Sequence, residues 1–112
     1  MSAVDCGSTV LANTDPSIFM LGTRERAVPL RQQVEHALDQ SDLTVCIDFR
    51  GTSVTQGFMD ELLGVLILRR GPSILERLAF KQCTEDVQAV VRFVAACRVR
   101  DYNEGELQPA HA

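Results

Sequence analysis

Residues 44–70 read TVCIDFRGTSVTQGFMDELLGVLILRR, and the rest of the chain is organised around them. Thr44 to Phe49 carries β-branched and aromatic residues with little polarity, as expected for a strand covered on both faces. Gly51 to Gln56 supplies the turn and hydroxyl-bearing residues that open a helix. Gly57 to Leu68 supplies the helix itself, apolar on almost every side. One strand–loop–helix unit cannot bury its own faces, so the flanking segments must complete the layers.

Within the strand, Val45, Ile47 and Phe49 point one way, and Thr44, Cys46 and Asp48 the other. A carboxylate in a buried strand is costly unless satisfied, so Asp48 reads as an acceptor for N–H groups of the following loop. Either Ser53 or Thr55 can cap the next helix, and Ser53-Val54-Thr55-Gln56 fits a capping box. Asp60 and Glu61 near the helix start, with Arg69 and Arg70 at its end, complement the dipole. Gly71-Pro72 stops it. The helix carries more apolar surface than one stripe, which suits a deep groove or a face kept for a partner.

Upstream, Thr9 to Ala12 and Ser17 to Leu21 are short apolar runs separated by Asn13-Thr14-Asp15-Pro16, which predicts an antiparallel hairpin. Gly22-Thr23 offers an N-cap, and Ala27, Leu30, Val34, Ala37 and Leu38 recur at helical spacing. Pro29 either sits near the start of that helix or kinks its first turn. Downstream, Ser73 to Arg77 connects to a strand at Leu78–Gln82. Thr84 then caps a last helix whose inner face is Val87, Val90, Val91, Val94 and Ala95.

The order predicts an α/β fold, a four-stranded mixed sheet with about three helices packed mainly on one face. Residues 8–102 form the expected domain, with a flexible N-terminus over 1–7 and a flexible tail over 103–112. The expected centre contains Val45, Ile47, Leu62, Leu66, Val87, Val91 and Val94.

Composition narrows the function classes. The chain has 112 residues, 46% hydrophobic and 23% charged, which is one ordinary globular domain. A net charge of −4 gives no electrostatic footprint for nucleic acid. No signal peptide is visible, and the longest apolar run is too short to cross a bilayer. Cys6, Cys46, Cys83 and Cys97 match neither a disulfide nor a metal spacing pattern, so free thiols in a reducing cytoplasm are expected. No nucleophile–base pair or metal cluster assembles from the sequence, so no enzyme, cofactor or metal is expected.

Four segments in order then resemble a known family. Leu21-Gly22-Thr23-Arg24, Ile47-Asp48-Phe49-Arg50-Gly51, Phe58-x-Asp60-Glu61-Leu62 and Phe80-Lys81-Gln82-Cys83-x-Glu85-Asp86-Val87 look like the STAS-like family of small bacterial domains, DUF4325. The resemblance covers about residues 17 to 100. That family is similar in turn to STAS domains, including the antagonists of anti-sigma factors. Those antagonists dock on a GHKL-type, histidine-kinase-like ATPase and are switched by phosphorylation at the start of the helix after the central strand. This sequence departs from their pattern there: Gln56 falls where the phosphorylated serine would be, leaving Thr55 or Ser53 as the candidate phospho-acceptor.

The resemblance implies a non-enzymatic regulatory module for signal transduction or transcription. Its expected partner is a histidine-kinase-like ATPase or a transcription regulator. The expected docking edge is Arg50, Gly51, Thr52, Ser53, Thr55, Gln56, Asp60 and Glu61. An alternative is a small-ligand or nucleotide sensor, because helix N–H groups after the central strand can hold an anion. A homodimer is compatible with either.

Overall fold

The computed structural model describes residues 6–107. Strand β1 (Cys6–Leu11) is followed by β2 (Met20–Leu21), helix α1 (Arg24–Gln40), β3 (Thr44–Asp48) and β4 (Ser53–Val54). The long central rod comes next. It starts as α2 (Gln56–Met59), passes through a π-helical turn (Asp60–Gly64) and continues as α3 (Val65–Arg70). A 3-10 helix (Pro72–Arg77), β5 (Leu78–Lys81) and helix α4 (Glu85–Leu107) complete the chain.

The strands form two small parallel sheets, β1-β3-β5 and β2-β4, in place of the expected four-stranded mixed sheet. The expected hairpin between the first two strands does not form. The Asn13–Phe19 loop instead carries the chain from one sheet to the other, so β1 pairs with β3 and β2 with β4. Four α-helical segments replace the expected three, because the π-turn divides the central one. β1 begins at Cys6, ahead of the expected Thr9, and α4 runs through Leu107, so residues 103–107 are helical and not tail. Residues 1–5 and 108–112, expected to be flexible, lie outside the described residues.

β3 sits between β1 and β5, which explains its apolar run: Val45, Cys46 and Ile47 are all buried. Val10, Ile47 and Phe80 are in register and share the face under the helices. The central rod lies between α1 and α4 over this face, which accounts for its nearly all-round apolar character: Phe58, Met59, Leu62, Leu63, Leu66 and Ile67 are fully buried. Of the expected centre, Val91 alone is only half-buried.

Local signals place the helix ends. Thr23 Oγ1 accepts from Arg26 N–H at 3.2 Å, and Thr84 Oγ1 accepts from Val87 N–H at 3.2 Å. Both are N-caps. α1 has no basic residue in its last turn. Arg77 supplies the charge from the 3-10 helix, its Nη2 donating to the carbonyls of Leu38 (3.1 Å), Ser41 and Leu43 (3.0 Å).

The expectation of four free thiols is corrected. Cys6 and Cys46 form a disulfide with their Cα atoms 5.7 Å apart, while Cys83 and Cys97 are free. The sequence separation of 40 between Cys6 and Cys46 hides the contact; the parallel β1–β3 pairing creates it. Among the described residues no helix is long and apolar enough to cross a membrane.

Candidate interaction surface

The carboxyl ends of the parallel strands are where open α/β sheets present loops to ligands and partners. At the end of β3, Asp48 Oδ1 accepts the Arg50 N–H at 2.8 Å, the loop-satisfying role expected for it. Phe49 is fully buried and stacks on Phe80, with ring centroids 6.3 Å apart. The chain then reverses: Thr52 N–H donates to the Phe49 carbonyl at 2.8 Å, with Arg50 (φ 52°) and Gly51 (φ 76°) as the central residues. A turn with both central φ positive suits glycine; Arg50 adopts it at a conformational cost of about 1–2 kcal/mol.

Two further loops meet this turn. Gly51 N–H donates to the Gln82 carbonyl at 2.8 Å, and Gln82 itself has φ 56°. Asn13 Nδ2 donates to the Ile18 carbonyl (3.0 Å) and to Thr52 Oγ1 (3.3 Å), fastening the loop after β1 to the turn after β3. Asp15 accepts from the Ser17 hydroxyl (2.7 Å) and N–H (3.0 Å), and these bonds hold its carboxyl below the usual range. The result is an open cleft of about 390 Å³ bounded by Asn13–Phe19 and Arg50–Thr52. Phe19 is 82% exposed at its rim and Met20 is 53% exposed beside it.

The expected docking residues separate into two groups. Arg50 and Gly51 are exposed on the turn; Thr52 is buried, and Ser53 lies in β4 with its N–H on the Phe19 carbonyl at 3.2 Å. Gln56 is exposed at the start of α2. Thr55, not Ser53, is the N-cap of α2. Its hydroxyl accepts from Phe58 N–H (3.1 Å) and donates to the Gly22 carbonyl (2.9 Å).

Asp60 and Glu61 turn away into ion pairs. Asp60 is only 13% exposed and lies between Arg24 (2.8 Å) and Arg98 (2.6 Å to each carboxylate oxygen). The Arg98 guanidinium holds its carboxyl below the ordinary 3.8; burial opposes this, and Arg24 adds to the lowering. Glu61 lies 3.4 Å from Arg31, a buried arginine that also approaches Glu35 at 3.7 Å. Gly64 permits the Asp60 arrangement: a Cβ there would collide with Asp60 Oδ1 and come within 3.1 Å of the Arg98 side chain.

Sequence reasoning missed Arg98, Arg24, Asn13 and Phe19. The arginines resembled ordinary helix-end charges, and no sequence signal tied Arg98 to Asp60. Phe19 carried one: a large apolar residue next to the turn formers Asn13–Pro16.

A family profile described as a STAS-like domain of unknown function (DUF4325) matches residues 26–88. Neither the curated proteins nor the solved structures gave a match to the chain. The matched segment spans β3, the turn after it, the whole central rod and β5, and it covers more than half of the chain, which therefore belongs to the STAS-like domain family DUF4325.

Proposed function

We propose that this domain is a non-enzymatic regulatory module that binds a protein through the Arg50–Ser53 turn together with Phe19 and Met20. The observation that supports it is the exposure of two large apolar side chains, at the amino end of β2, beside the Arg50 turn at the carboxyl end of β3. Clustered apolar exposure of this kind marks interaction sites more often than bare surface. Arg50 is held in no ion pair among the described residues, which suits an acidic group on the partner.

In this reading the partner is a histidine-kinase-like ATPase or a transcription regulator, as for the STAS domains the family resembles. Phosphorylation of Thr55 would cost the helix its cap, because both hydroxyl bonds are already used. The cleft of about 390 Å³ beside Arg50 favours a second reading, in which a small anionic ligand or nucleotide occupies it.

The test begins with a pull-down from the native cell, followed by chemical-shift mapping of the domain with the captured protein. Shifts centred on Phe19, Met20 and Arg50–Ser53 support docking there. Shifts confined to the far ends of α1 and α4 refute it. Shifts at Asn13–Thr14 and Arg50 on adding ATP or phosphate alone would favour the ligand reading.

A further inference from the structure

β1 is an edge strand: β3 pairs with one side of it, and nothing among the described residues pairs with the other. Which groups face that open side follows from one bond. Ala12 N–H donates to the Asp48 carbonyl at 2.9 Å, so Ala12 directs its backbone toward β3. N–H and C=O directions alternate along a strand, and the register is regular from Ser8 to Leu11. Ser8 and Val10 therefore also face β3, and Thr9 and Leu11 present their N–H and C=O groups outward.

Open edges of this kind are usually blunted by charge, proline, a bulge or short length. β1 carries little such protection. Its residues and those that follow are uncharged and free of proline up to Thr14, the first charge being Asp15. The single irregularity, at Gly7, lies before the regular segment. The opposite edge differs: β5 has four residues and ends in the exposed Lys81.

We propose that the domain self-associates through β1, two copies pairing antiparallel to make one continuous sheet. A two-fold axis at Val10 sets Thr9 opposite the partner's Leu11 and Leu11 opposite the partner's Thr9. Each outward N–H then meets an outward carbonyl, so the edge is complementary to itself. Charge does not oppose this occupant at the strand itself. A chain of net charge −4 repels its own copy over most of its surface, but this strand brings no charge to the contact. Beside β1 a groove of about 360 Å³, lined by Val10, Leu11, Pro29, Leu30 and Gln33 among others, gives side chains of the incoming strand a place against α1. The Cys6–Cys46 bond fixes the start of the strand to β3, so little ordering remains for association. The proposal uses neither Arg50 nor Phe19 and stands apart from partner docking.

Sedimentation equilibrium of the intact chain across the micromolar range, with two variants, tests it. Thr9→Pro removes an outward N–H without touching the bonds to β3, and Thr9→Lys puts a charge on an exposed position of the same edge. The wild type is expected to rise with concentration from 12.4 kDa toward twice that mass. Both variants are expected to stay at the monomer mass with unchanged circular dichroism. Hydrogen exchange at Thr9 and Leu11 is expected to slow at least tenfold in concentrated wild type and not in dilute samples. A wild type that is monomeric throughout overturns the proposal. So does a dimer that persists in Thr9→Lys.

Discussion

Asp60 and Arg98 form a two-pronged ion pair across 38 residues, Nε to Oδ1 and Nη2 to Oδ2, each at 2.6 Å. The pair ties the π-turn of the central rod to α4, the last element of the fold. Its cost and benefit are testable through pH. Asp60 titrates below its ordinary 3.8 in the folded state, so its contribution is complete above that value and is lost as pH falls through the depressed folded value. Asp60→Asn should lower stability at pH 7 by about 2 kcal/mol, the scale of a charged hydrogen bond in a partly exposed setting. Urea melts of both proteins should converge as the pH drops below 3.8. A difference that is constant with pH would mean the loss is packing alone.

Gly64→Ala tests the same arrangement from below. In an ordinary helix the change gains about 1 kcal/mol from propensity. Here the new methyl group collides with Asp60 Oδ1, so the variant should lose about 1–3 kcal/mol, as overpacked cores do. A more stable Gly64→Ala protein would show that the ion pair has room to move.

Cys6→Ser removes a cross-link closing forty residues, and the chain-entropy relation puts its contribution at about 4 kcal/mol. A loss of unfolding free energy of that size is expected in chemical denaturation, and dithiothreitol should produce the same loss in the wild type. No effect of reductant on the wild type would contradict the bond. Mass spectrometry with and without alkylation checks the two remaining thiols, Cys83 and Cys97.

What the sequence revealed was local, and what it concealed was long-range. β3 and the rod after it were legible because their periodicity and caps lie within a few residues of each other. Thr23 and Thr84 announced their helices for the same reason. The pairing of β2 with β4 was not legible, since two-residue strands such as Met20–Leu21 carry no period. Nor was the π-turn, whose residues Asp60 and Gly64 meet Arg98 on α4, far away in the sequence. The placement of the expected docking residues was half legible. Polar residues at the end of β3 pointed to Arg50, but Asp60 and Glu61 looked like free acids until Arg98, Arg24 and Arg31 were placed beside them.

Under the proposed function, the turn after β3 and the rim of β2 form the partner-binding surface. Phe19→Ser combined with Arg50→Glu tests it most directly, because both side chains are exposed and neither supports the core. The affinity of the captured partner should be measured calorimetrically for wild type, this double variant and Asp42→Lys, a charge control at an exposed position before β3, at the opposite end of that strand. The account predicts at least a tenfold loss for the double variant, about 1.4 kcal/mol or more, with an unchanged melting temperature and no loss for the control. Equal affinity for all three would contradict it.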